Sequence, residues 1–146
     1  MELHKLTEQL TVSPQIAVHD LEAIKAAGFR CVICNRPDGE GADQPTFEEI
    51  KDAAQKAGLD VRYQPVVSGR MSDDDALAFG ALMQELPKPV LAYCRTGTRS
   101  ASLWALSQAT QRPLPDILTA TKSAGYDMTG IVRRIANGGR TMPVMS

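Results

Sequence analysis

Three short apolar runs, at residues 29–34, 61–67 and 89–93, are each parted from the next by a segment long enough for an amphipathic helix. Strands joined in this way cannot pair as hairpins and need crossover connections, so the spacing predicts an α/β fold: a mostly parallel central sheet covered by helices. The stretch 35–45 is rich in glycine and proline and reads as a loop. Thr46 and Glu49 then form a capping box that opens a helix stopping before Gly58. Ser72 and Asp75 repeat that spacing ahead of Ala76, Leu77, Phe79, Ala81, Leu82 and Leu86, and Pro87 ends this second helix.

Residues 6–12 read as one extended segment closed by Ser13-Pro14. Val18, Leu21, Ile24 and Ala27 then lie on one helical stripe that Gly28 stops. From Ser100 the pattern is helical through Leu103, Leu106 and Ala109. It is helical again over 115–124 and 127–136, with Gly125 and Gly138-Gly139 as stops, giving a C-terminal helical cluster. A chain of 146 residues fits one domain, with a core over about 5–137 and a flexible tail at 138–146.

Apolar residues make up 43% and charged residues 23%, and 16 Lys and Arg against 17 Asp and Glu leave a net charge of −1. That balance excludes a disordered chain and a basic nucleic-acid surface. No apolar run approaches the roughly 18–20 residues of a membrane span, and the first ten residues lack the order of a signal peptide, so a cytoplasmic protein is expected. Three cysteines, Cys31, Cys34 and Cys94, are an odd number, which disfavours a disulfide framework and leaves a thiol for chemistry. Cys31 and Cys34 have C-x-x-C spacing, but inside a strand they point to opposite faces. With only His4 and His19 besides, neither a metal site nor a cofactor is expected.

The chemistry concentrates in Cys94-Arg95-Thr96-Gly97-Thr98-Arg99-Ser100, where a buried strand gives way to a helix. Consecutive backbone N–H groups at such a junction curl around one centre, the helix terminus adds partial positive charge, and Gly97 permits close backbone approach. This is an anion cradle with Cys94 as nucleophile. Arg95 and Arg99 strengthen its field, Arg99 presents a planar fork to an oxyanion, and the Ser100 hydroxyl is within reach of a thiolate or leaving sulfur.

The run from Tyr93 to Ser100 is similar to the active loop of single-domain rhodanese sulfurtransferases. Ser13-Pro14-Gln15-Ile16, the stretch from Cys34 to Glu40, Leu103-Trp104-Ala105-Leu106 and Ala124-Gly125-Tyr126-Asp127 resemble a different family. That family is the phosphatase-like domain that accompanies bacterial β-lactamase-like hydrolases, and the resemblance covers about residues 5–130. It implies a dual-specificity-phosphatase-like fold and a function given in that family as either phosphatase or sulfurtransferase.

Four residues part Cys94 from Arg99, where cysteine phosphatases of the tyrosine and dual-specificity type place five. A shorter loop offers one amide fewer, which suits a compact persulfide better than a phosphoryl group. The expectation is therefore a sulfurtransferase. Cys94 would take sulfane sulfur from thiosulfate or a low-molecular-weight persulfide and pass it to a thiol acceptor, with a protein thiol as a further partner. A cysteine-dependent phosphatase is the alternative, and a persulfide or anion sensor the third reading.

A phosphatase needs a general acid. Asp38 and the run Asp73 to Asp75 are the candidates, although Ser72 and Asp75 already make sense as a helix cap. Cys34, Arg36, Asp38 and Glu40 share the carboxyl edge of the sheet with Cys94, and Cys34, Arg36 and Asp38 are candidates to line its pocket. Cys31 and Trp104 read as packing residues, His19 as a surface residue, and Asp127 as a helix cap.

Overall fold

A computed structural model of the chain describes residues 1–141. Five strands form one sheet in the order β1-β2-β5-β3-β4: β1 His4–Lys5, β2 Leu10–Ser13, β3 Cys31–Cys34, β4 Asp60–Tyr63 and β5 Val90–Tyr93. Only the β1–β2 pair is antiparallel. The helices are α1 Leu21–Ala26, α2 Phe47–Ala57, α3 Asp73–Glu85, α4 Thr98–Ser107, α5 Leu114–Ser123 and α6 Val132–Ala136. The α/β expectation, with its mostly parallel sheet, holds. No described helix is long and apolar enough to cross a membrane.

The alternation of side chains along β3 and β5 divides the core into two layers. Cys31 and Ile33, with Val90 and Ala92, pack under Phe79, Leu103, Trp104 and Ile117 from α3, α4 and α5. Val32, Cys34, Leu91 and Tyr93 pack against Leu21, Ile24, Ile50 and Ala54 from α1 and α2. The two C-x-x-C thiols thus lie on opposite faces and are unbridged.

The capping boxes at Thr46 with Glu49 and at Ser72 with Asp75 are both present, and Gly58 ends α2 in the left-handed region at φ 83°. Several boundaries differ from the sequence pattern, among them the last helix, expected over 127–136 and found as a short turn at Thr129–Ile131 followed by α6. The segment over 6–12 is broken by a tight turn, in which the Thr7 hydroxyl accepts from the N–H groups of Gln9 and Leu10. The regular strand expected over 61–67 ends at Tyr63, although the Gln64 N–H still donates to Cys34 O and the Val66 N–H to Asn35 O. The helix expected from Ser100 starts two residues earlier, at Thr98. The first part of the tail expected to be flexible is tied down, since the Thr141 backbone and hydroxyl donate to Asp73. Residues 142–146 lie outside the described chain.

Candidate active site

Cys94 follows directly on β5 and is 1% exposed. Its N–H donates to Ser13 O, the Asn35 N–H donates to Tyr93 O at 2.8 Å, and the Gln15 N–H donates to Arg95 O. The foot of the loop is therefore clamped between the chain leaving β2 and the chain leaving β3. Gly97 sits at φ 95°, a conformation that side chains resist, and a β-carbon there would collide with the Tyr126 hydroxyl. That turn folds the loop back until the Gly97 N–H donates to Cys94 Sγ at 3.0 Å. Because α4 opens at Thr98, the first N–H groups of the helix have no intrahelical acceptors and their partial positive charge opens towards the loop.

Arg99 presents its fork to the carboxylate of Glu40, with Nη1 to Oε2 and Nη2 to Oε1 both 2.8 Å, and Nη1 also donates to Val66 O at 2.9 Å. Glu40 accepts as well from Arg36 Nε at 3.1 Å, and Arg36 Nη1 reaches Gln15 Oε1. These bonds, the one from Arg99 foremost, hold the Glu40 carboxyl below its usual range. The same bond to Glu40 raises Arg99, and the neighbouring Cys94 sulfur adds to that pull. A carboxylate thus rests on the arginine that an incoming oxyanion would use.

The remaining residues of the loop have different tasks. Ser100 Oγ donates to Asn35 Oδ1 at 2.8 Å, deep in the core, and not to the cysteine sulfur. Thr96 Oγ1 contacts Thr98 Oγ1, and the Thr96 carbonyl accepts from the Tyr126 hydroxyl at 3.2 Å. Arg95 is exposed.

Cys34 lies near Cys94 but donates its thiol to Arg36 O at 3.2 Å, and burial pushes its pKa up. Asp38 is engaged at the start of α2: its Oδ1 accepts the Phe47 N–H at 2.8 Å, and its own N–H donates to the Tyr63 hydroxyl. Asp73 binds Arg134 and Thr141, and Asp75 closes its capping box with Ser72. Among the described residues no group of three or more His, Cys, Asp or Glu side chains is placed to hold a metal ion.

Two members of this neighbourhood escaped the sequence reading. Tyr126, read there only as part of a motif, covers Gly97 and supports Thr96, and burial with the nearby Cys94 pushes its phenol up to about 12. Glu40 was read only as a residue of the sheet edge. Its pairing with Arg99 spans 59 residues, so no local pattern could show it.

The family described as "Beta-lactamase hydrolase-like protein, phosphatase-like domain" matches residues 2–111. A beta-lactamase hydrolase-like protein of Agrobacterium fabrum is 32% identical over 145 residues, which is 98% of this chain and 34% of that protein. A relative of the same description from Xylella fastidiosa is 32% identical over 74% of this chain and 25% of its own length. The chain therefore spans about a third or less of these curated relatives.

Among solved structures, a Neisseria meningitidis protein provisionally described as a phosphatase superposes with a TM-score of 0.85 at 37% identity, covering 94% of this chain and 99% of that one. Tk-PTP in its active form shares the fold, with a TM-score of 0.73 at 19% identity over 92% of this chain and 93% of its own. These findings overturn the sulfurtransferase expectation in favour of its phosphatase alternative. The loop-length argument behind that expectation fails for a structural reason: α4 begins inside the motif, so the number of residues between cysteine and arginine does not count the amides available. The family match and the relatives together establish that the chain belongs to the phosphatase-like domain family of the beta-lactamase hydrolase-like proteins.

Proposed function

We propose that the chain is a cysteine-dependent phosphoric monoester hydrolase. Cys94, as thiolate, attacks phosphorus; the S–P bond forms as the bond to the leaving oxygen breaks, and water then cleaves the phosphocysteine and returns the thiolate. The observation that carries this reading is the Gly97 N–H donated to Cys94 Sγ at the foot of α4, with Arg99 facing the same sulfur. A phosphoryl group on that sulfur would meet the open amides of the helix terminus and the guanidinium fork, both suited to equatorial oxygens. Arg99 must exchange its Glu40 partner for the phosphoryl oxygens, while Arg36 and Gln15 keep Glu40 close by. We place the reaction in the cytoplasm, on the strength of three unpaired thiols.

The test is an acid quench during turnover of an aryl phosphate. Native protein is expected to carry one phosphoryl group on Cys94, located by peptide mass spectrometry, and Cys94→Ser none. Phosphate release that continues undiminished in Cys94→Ser would sink the proposal.

A further inference from the structure

Once a phosphocysteine is accepted, the question becomes what leaves. An alkoxide departs badly without a proton, and a positioned acid supplies roughly 10²–10⁴-fold. The segment standing against the cradle is residues 64–72, because Arg99 Nη1 donates to Val66 O at 2.9 Å. Its sequence, Gln64-Pro65-Val66-Val67-Ser68-Gly69-Arg70-Met71-Ser72, holds no aspartate, glutamate or histidine.

Other proton carriers are engaged or stand away from the cradle. Glu40 touches Arg99 but two guanidinium groups keep it ionised, which makes it an acceptor. Asp38 holds the start of α2, Asp73 holds Arg134 and Thr141, and Asp75 holds Ser72. Asp74 lines a cleft with Leu106 and Ser107, in the last turn of α4, whereas the cradle is at its first. Tyr126 gives its hydroxyl proton to Thr96 O, and Cys34 gives its own to Arg36 O. His4 lies edge-on to the Tyr126 ring, with centroids 5.4 Å apart, and pairs with Glu2.

Resting on the phosphatase reading, we infer that the site serves phosphoryl donors whose leaving oxygen departs as a stable anion. These are phosphoanhydrides and phosphates of acidic phenols, as opposed to esters of aliphatic alcohols. The phosphate released from an anhydride has a pKa of about 6, against about 10 for a phenol such as that of tyrosine. In the first step the thiolate forms the S–P bond and the P–O bond breaks with its electron pair staying on the leaving oxygen, and no proton moves. In the second, water forms the new P–O bond, the P–S pair returns to Cys94, and both water protons stay on the product, which leaves as dihydrogen phosphate. Apart from Arg99, the charged side chains on the cradle and on residues 64–72 are Arg95 and Arg70. Both are exposed cations, which suits a negatively charged leaving group.

The experiment compares kcat/KM for benzyl diphosphate, benzyl phosphate and a series of aryl phosphates of rising phenol pKa, with Cys94→Ser as control. Benzyl diphosphate should exceed benzyl phosphate by at least about 100-fold, the aryl series should fall steeply with pKa, and Asp38→Asn and Asp74→Asn should stay within about twofold of native. Cys94-dependent hydrolysis at rates indifferent to the leaving group overturns the inference while leaving the phosphatase intact. The same holds if Asp38→Asn or Asp74→Asn selectively slows the poorest leaving groups. Absence of Cys94-dependent phosphate release from every compound removes the phosphatase reading itself.

Discussion

Cys34 and Cys94 stand almost side by side, at the carboxyl ends of the neighbouring strands β3 and β5, and both are buried to within 2%. Their surroundings have opposite polarity. Cys34 meets a backbone carbonyl, Arg36 O, and must donate to it, so this thiol keeps its proton. Cys94 meets a backbone amide, Gly97 N–H, and accepts from it. Two turns of chain, one carrying its carbonyl to sulfur and the other its N–H, separate a packing residue from a candidate nucleophile. Depth of burial and residue type are the same in both.

The largest effect should come from exchanging each sulfur for oxygen. Cys94→Ser should lower aryl phosphate hydrolysis by about 10⁴-fold or more. Cys34→Ser, whose hydroxyl can make the same bond to Arg36 O, should stay within about threefold. Comparable losses in both would show that the two thiols act together.

A smaller effect should follow from moving the donor while leaving the sulfur. Gly97→Ala forces a strained φ and drives a methyl group into Tyr126, so it should cost about 1–3 kcal/mol of stability and roughly 100-fold in kcat. Removing the obstructing hydroxyl with Tyr126→Phe should recover part of the stability in the double variant. A strictly additive pair, measured by urea denaturation, would show that Tyr126 does not press on Gly97.

The smallest effect concerns pH. Burial raises Cys34 and pushes Cys31 up to about 11, whereas an unfolded thiol titrates near about 8.5. The folded chain therefore keeps protons that the unfolded chain loses. Stability from these groups is whole below about 8.5 and declines as pH rises through the folded values. Urea midpoints between pH 7 and 10 should fall, and less steeply for Cys31→Val. A native midpoint that stays level across that interval would contradict the assignment.

The features legible in the sequence are those with short reach. The crossover spacing, two capping boxes and the strand-to-helix junction at Cys94 each involve neighbours within a few positions, and all are present. Partners of the cradle from elsewhere in the chain were out of range. Asn35 reaches Ser100 across 65 residues and Tyr126 reaches Thr96 across 30. Ser100 could be placed at the cradle from sequence, but the direction of its hydroxyl depends on where β3 ends beside β5. The chemistry was misjudged for a related reason: a residue count treated the loop as isolated, and the early start of α4 supplies amides that such a count omits.

Tyr126 lies beyond residue 111, where the family match ends, and so do Ile117, Ala124, Met128 and Ile135, which share its apolar layer. A chain cut at that limit would keep every residue from Cys94 to Ser100. It would also leave the Thr96 carbonyl without its phenol and Gly97 without its lid, with the α4 side of the sheet open to water. The unit inherited as a recognisable pattern is thus shorter than the unit that holds the cradle in shape, and grafts or truncations of this domain should be drawn past Ile135.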